Sequence, residues 1–202
     1  LVGILIYHVL IQIFWCLVQG DYLQKNKKIQ TWIVWQHPFV ITCIFLCICW
    51  TIPIILKYPA GICWDASWQI DQGMGNTTLT SHHPVFHTML MAWFVKFGMQ
   101  LHSANVGIFL FCVVEAIILA LIFSFAIKCL VDLQAKYWSI IIAILFFGFS
   151  PFITGYVGTV IKDVYFTAMC VLYITTLIVY AANRKLFWSK CYYSILFVLA
   201  TV

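Results

Sequence analysis

The sequence predicts an all-α fold, a polytopic bundle of transmembrane helices, on three observations. Hydrophobic residues make up 64% of the chain and charged residues only 8%, against roughly 25% charged residues in a soluble domain. The apolar residues form long runs, several near the ~20 residues that cross a bilayer as a helix. Those runs lack the alternation of a membrane β-strand, so backbone groups in lipid must be satisfied within helices.

The runs are Leu1 to Val18, Phe39 to Leu56, Val106 to Ile127, Trp138 to Ile153, Val164 to Ala182, and one starting at Cys191. Leu1 to Val18 has neither a basic leader nor a small-residue cleavage site, and reads as a membrane helix rather than a signal peptide. The chain begins without Met and ends inside an apolar run, as expected for a piece of a longer protein. We expect a single transmembrane domain over residues 1–202. Polar segments separate the spans at Asp21 to His37, Lys57 to His83, Lys128 to Tyr137, Gly155 to Asp163 and Asn183 to Lys190.

Pro84 to Gln100 is apolar but short, and it carries Lys96. If it does not cross, Lys25, Lys27, Lys28, Lys128, Lys136, Arg184, Lys185 and Lys190 share one side. These are eight of the eleven basic residues, and the positive-inside rule puts them in the cytoplasm. If it crosses, the last five move outside, against the rule. The segment is therefore expected to lie along the outer surface, within an outer loop-and-helix region of about residues 57–105. The net charge of +5 resides in short inter-helix loops and does not point to nucleic acid. This topology gathers Lys57, Asp65, Asp71, His82, His83, His87, Lys162 and Asp163 on the extracytoplasmic face. The partner implied by composition alone is a lipid bilayer.

Within the outer loop, Asp65, Gln69 and Gln72 have the i, i+4, i+7 spacing of one helical face. Trp64 and Trp68 suit a membrane interface. A carboxylate held there serves as a general base or a metal ligand; the same residues also suit an ordinary solvated loop. In Ser81-His82-His83-Pro84-Val85-Phe86-His87-Thr88, Pro84 suits a first helical position. The histidines then stand at a helix N-terminus, which favours an anion such as a phosphate. A metal site of His83, His87 and a loop Asp is a second reading, and simple helix capping a third. No HExxH is present to suggest a zincin-type protease.

Lys162-Asp163 at the start of a span reads as a local ion pair, or as a lysine that neutralises a phosphate with Asp163 fixing it. Glu115 stands alone inside a span. Intramembrane carboxylates are costly and are functional candidates, or else locally satisfied structural groups. The nine cysteines mostly lie inside apolar runs and act as small hydrophobes rather than as a disulfide framework. Asn76-Thr77-Thr78 fits a glycosylation sequon, a triplet common by chance.

The order of these elements resembles the N-terminal half of bacterial GT-C-type membrane glycosyltransferases, especially an uncharacterised, mostly Gram-positive family. The resemblance rests on Tyr58-Pro59-Ala60-Gly61, on Asp65 with Gln69, on the Ser81–Thr88 stretch, and on Lys162-Asp163-Val164, spanning about Lys57 to Ala182. It implies a sugar donor on a polyprenyl phosphate or diphosphate and a cell-envelope acceptor. It implies Asp65 as catalytic carboxylate. Gln69, His82, His83, His87, Lys162 and Asp163 then line the substrate site. A divalent cation (Mg or Mn) is used by some relatives, with Asp65 and Asp71 as its candidate ligands here. The tandem acidic pair of some GT-C branches is absent, since Ala66 follows Asp65. Without the resemblance, a transporter or lipid-carrier flippase built around Glu115 is the alternative, although polar residues collect at one face rather than at midplane.

Overall fold

The structure is a computed structural model and describes residues 33–201. The first expected span and the loop lysines 25, 27 and 28 lie outside the described residues. The elements in order are α1 (Ile33–Gln36), α2 (Pro38–Leu56), β1 (Gly61–Ile62), α3 (Trp64–Met74), α4 (Val85–Gln100), α5 (Ala104–Asp132), α6 (Tyr137–Phe149), α7 (Pro151–Tyr156), β2 (Thr159–Val160), α8 (Lys162–Ala182), α9 (Arg184–Ser189) and α10 (Cys191–Leu199). Four segments are long and apolar enough to cross a membrane: Pro38–Leu56, Ala104–Asp132, Tyr137–Tyr156 and Lys162–Ala182. The protein is thus a multi-pass helical membrane protein, as its composition requires. The third of these segments contains a break at Ser150, where Pro151 opens α7; proline has no N–H to continue the preceding helix. The run from Cys191 forms only a nine-residue helix within the described residues.

Several features differ from expectation. The charge at Lys128 predicts a loop from there on, but α5 continues to Asp132. Lys128 and Asp132 are four apart and form an ion pair on that last turn, and the Tyr193 hydroxyl donates to the same carboxylate at 2.8 Å. The second difference is a two-residue parallel ladder in an otherwise helical chain, pairing Gly61 with Thr159 and Ile62 with Val160. The Gly61 N–H also donates to the Gly158 carbonyl at 2.8 Å.

The chain divides into two compact units. One comprises residues 33–44, Ile122–Phe147 and residues 170–201 of the described chain. Trp35, Ile127, Ala135 and Ile140 form a buried cluster there. The other comprises Phe45–Leu121 and Gly148–Met169 and contains every candidate site residue named above. Its core is built on Ala66, Met91, Val95, Phe111, Cys112 and Val160, drawn from α3, α4, α5 and β2.

Inside this second unit, α3 and α4 pack as a hairpin. Glycine makes the approach possible, since a Cβ at Gly73 would stand 2.5 Å from the Ala92 Cβ and 2.9 Å from the Thr88 carbonyl oxygen. Farther along, a Cβ at Gly98 would stand 2.3 Å from the Gly107 nitrogen, so α4 and α5 touch backbone to backbone. The α4 helix has 16 residues and is not among the membrane-crossing candidates. Pro84 is its N-cap rather than its first residue.

Lys57, grouped by sequence with the chemical residues, has a different task. Its ammonium donates to the carbonyls of Gly155 (2.6 Å), Val157 (3.2 Å) and Thr154 (3.3 Å), and lies 3.4 Å from the Thr159 hydroxyl. These are carbonyls left over where α7 ends, and a cation is the favourable cap for them.

Candidate functional site

The parallel ladder determines the site. Asp65 follows β1 by three residues and Lys162 follows β2 by two. Pairing the strands in parallel therefore sets the starts of α3 and α8 side by side, although Asp65 and Lys162 are 97 residues apart. Lys162 Nζ lies 3.3 Å from Asp65 Oδ2 and 3.2 Å from His83 Nδ1. Lys162 therefore reaches across to α3 and to the segment before α4, and pairs with Asp65 rather than with adjacent Asp163. Asp163 stands in the first turn of α8, where a carboxylate suits the helix dipole.

Protonation states follow from the contacts. A lysine ammonium donates only, so the His83 Nδ1 facing it accepts and the His83 proton sits on Nε2. That Nε2–H is buried with no hydrogen-bond partner among the described residues. Burial holds His83 below the usual histidine range; the Lys162 ammonium adds to this and Asp65 opposes it. His83 is only 2% exposed, while the Asp65 side chain is 45% exposed and that of Lys162 is 28% exposed. An ion pair this open contributes about 0–1 kcal/mol to stability. Its partners are thus held together weakly enough for a ligand to separate them. His82 is exposed, with its ring 4.7 Å from that of His83 and 6.4 Å from that of Trp68.

Below this open layer is a closed one. Gln69 and Gln72 share the face of α3 that carries Asp65, as the i+4 and i+7 spacing requires, and both are buried. Gln69 Oε1 is 2.7 Å from His87 Nδ1 and 3.4 Å from Thr88 Oγ1. Gln72 Nε2 donates to the Thr80 hydroxyl at 3.1 Å. His87 Nε2 approaches Glu115 Oε1 at 3.5 Å. The rings of Phe111 and Tyr165 stand edge-on to His87, at 5.5 and 5.6 Å. Glu115, which sequence reasoning left isolated in a span, thus borders the site through His87. Nothing in the sequence alone pairs them, since they lie on different helices.

Burial pushes the His87 pKa down to about 4, with the Lys162 and His83 charges adding to the effect. A histidine lowered from the ordinary ~6.5 binds its proton more readily when unfolded. Stability from His87 is thus complete above about pH 6.5 and is lost as pH falls toward 4. We expect unfolding of the detergent-solubilised protein to lose on the order of 2 kcal/mol between pH 7 and pH 4.5 from this group. His87→Gln should flatten that part of the profile; an unchanged slope would disprove the assignment.

The two candidate metal ligands do not converge. Asp65 and Asp71 are six residues apart on α3, which turns their side chains about 120° from each other. Asp71 accepts from the Asn76 amide at 3.2 Å and, with Trp64, Ser67 and Trp68, lines a separate shallow cleft of about 260 Å³. His83 and His87 likewise face different partners. Among the described residues no group of three or more His, Cys, Asp or Glu side chains is placed to hold a metal ion.

Residues 73–200 match the profile of DUF6020, described as a family of unknown function. The chain belongs to the DUF6020 family. No curated protein and no solved structure matches the chain. The segment matched to DUF6020 contains His82, His83, His87, Glu115, Lys162 and Asp163, while Asp65, Gln69 and Asp71 precede it.

Proposed function

We propose that this DUF6020 protein is a membrane glycosyltransferase of the GT-C type. It moves a sugar from a polyprenyl-phosphate-type donor to a hydroxyl of a cell-envelope acceptor on the extracytoplasmic face. One observation carries the reading: an accessible carboxylate, an ammonium and a buried imidazole N–H meet at the mouth of apolar helices. Those are the parts a lipid-phosphate leaving group and a hydroxyl nucleophile require.

The donor phosphate is an anion and competes with Asp65 for the Lys162 ammonium. Its binding draws Lys162 away and frees the carboxylate. The His83 Nε2–H, already oriented by Lys162, donates to a phosphate oxygen. Asp65 then takes the acceptor's hydroxyl proton as that oxygen attacks the anomeric carbon. The bond from the anomeric carbon to the phosphate oxygen breaks, its electron pair leaves with the lipid phosphate, and the proton remains on Asp65. These steps use Asp65, Lys162 and His83, and Asp71, which faces the Asn76 amide, takes no part in them.

Purified protein in proteoliposomes, given a panel of radiolabelled polyprenyl-phosphate hexoses and envelope acceptors, is expected to release polyprenyl phosphate from at least one donor. Release from none would reject the reading. Sidedness is tested in cells lacking the native reactive cysteines. Asn76→Cys and Tyr156→Cys should label from outside and Asn183→Cys from inside; the reverse would place the site in the cytoplasm. The competing reading, a lipid-carrier flippase, draws on Glu115. A transport signal lost in Glu115→Gln but kept in Asp65→Asn would favour it.

A further inference from the structure

Beside the face that buries its glutamines, α3 exposes Trp64, Ser67, Trp68 and Asp71, which line the cleft of about 260 Å³. Their i, i+3, i+4, i+7 spacing puts them on one side of the helix. At about 100° per residue, the order around α3 is Ser67, Asp71, Trp64, Trp68 and then Asp65. Trp68 is therefore the wall nearest the Asp65 carboxylate. Its ring also stands 6.4 Å from that of His82 and 6.1 Å from that of His83. The cleft thus opens beside the centre formed by Asp65, Lys162 and His83.

Its lining mixes two chemistries. The indoles offer flat apolar surface, with Trp64 82% exposed and Trp68 45% exposed. Ser67 offers a hydroxyl that both donates and accepts. Asp71 Oδ1 accepts from the Asn76 amide at 3.2 Å, which fixes the carboxylate and leaves Oδ2 as an acceptor. A hydrocarbon chain seated here would strip water from Ser67 and Asp71 and return no hydrogen bond. The cavity between α2 and α5 is the opposite case. It measures about 330 Å³, has Ile54, Val113 and Ile117 among its walls, and has no charged lining residue. A sugar ring matches the α3 cleft, being apolar on its C–H faces and polar around its rim. At about 260 Å³ the cleft is smaller than the ~300–1,000 Å³ of drug-sized sites, and it suits a single ring.

We propose that this cleft is a saccharide subsite and that the acceptor of the reaction is itself a sugar. One pyranose ring lies with a C–H face on Trp64 and Trp68, and its rim hydroxyls bond to Asp71 and Ser67. A further hydroxyl, on the Trp68 side, is directed toward Asp65. The Asp71 charge makes the cleft selective for neutral sugars over acidic ones. The donor phosphate stays with Lys162 and His83. The acceptor role rests on the glycosyltransferase reading; saccharide binding in the cleft does not.

Saturation-transfer NMR on the protein in nanodiscs, without donor, tests the cleft. The probes are methyl glycosides of a neutral hexose, an N-acetylhexosamine and a hexuronic acid. At least one of the two neutral glycosides should bind, with saturation strongest on its ring C–H protons, and the uronate should bind more weakly. Trp64→Ala should weaken binding about tenfold or more, the loss expected when an aromatic anchor is truncated. Trp64→Phe keeps an aromatic face and should retain most of it. Trp64 is so exposed that neither change threatens the fold. Binding of no neutral glycoside, or a preference for the uronate, overturns the proposal. So does binding unchanged in Trp64→Ala, which leaves the tryptophans as membrane-interface residues. If glycosides bind as stated but none ever accepts sugar from any donor, the saccharide cleft stands and its acceptor role falls. If transfer occurs but the acceptor KM is the same in Trp64→Ala, the cleft falls and the transferase reading stands.

Discussion

Asp65→Asn should abolish sugar transfer while the protein still inserts, folds and binds donor. The amide has the shape of the carboxylate and cannot take the acceptor's proton, so the loss is that of a general base, about 10²- to 10⁴-fold. Stability should change by no more than about 1 kcal/mol, because the ion pair removed is open to solvent. Donor affinity should be unchanged or improved, since the phosphate no longer competes with a carboxylate for Lys162. Initial rates, thermal unfolding and donor binding, measured on one preparation, separate these effects. Full activity in the variant would remove Asp65 as the base. Lost activity together with lost folding would make it structural.

Lys162→Met should fail in the complementary way. It removes an ammonium within hydrogen-bond reach of both Asp65 and His83. The phosphate then loses its counter-ion, and His83 loses the donor that fixes its proton on Nε2. Donor binding should weaken, and the turnover rate should fall about 10²- to 10³-fold, as when one preorganised electrostatic partner of a leaving group is removed. Lys162→Arg keeps the charge but not the point-like ammonium that reaches Asp65 and His83 together, so recovery should be partial. Donor binding equal to wild type in Lys162→Met would show that the phosphate lies elsewhere, and would leave Asp65 as an acid paired with a structural lysine.

Much of the frame was readable in the chain. Four apolar runs became membrane-length helices because length and composition decide that outcome locally. The i, i+4, i+7 spacing put Asp65, Gln69 and Gln72 on one face, and the structure adds that this face buries the two glutamines. Charge bias grouped Lys162 with the outer loop, and the two meet in the structure. What the chain concealed was partnership. Lys162 and Asp163 look paired because they are adjacent, yet successive helical residues point about 100° apart, and Lys162 turns to Asp65 instead. The Gln69–His87–Glu115 chain joins three helices and has no sequence spacing to betray it. Topology grouped Lys57 with the loop charges; its acceptors are carbonyls almost a hundred residues away, which no local pattern reveals. Gly73, Gly98 and Gly107 gave no hint of their partners, because a glycine contact depends on which backbone arrives opposite it.

The two-residue ladder has a consequence for biosynthesis. Its strands are parallel, so they cannot zip from a tight turn and must wait for a long crossover to close. Residues 57–100 leave the ribosome well before Thr159 and Lys162 exist. Until then Asp65 lacks the Lys162 ammonium, and His83 lacks the donor that faces its Nδ1. The growing chain therefore carries an incomplete centre until Lys162 is made, and only insertion of the last described membrane-length helix, Lys162–Ala182, completes it. A nascent chain arrested before Thr159 should be anchored in the bilayer and inert.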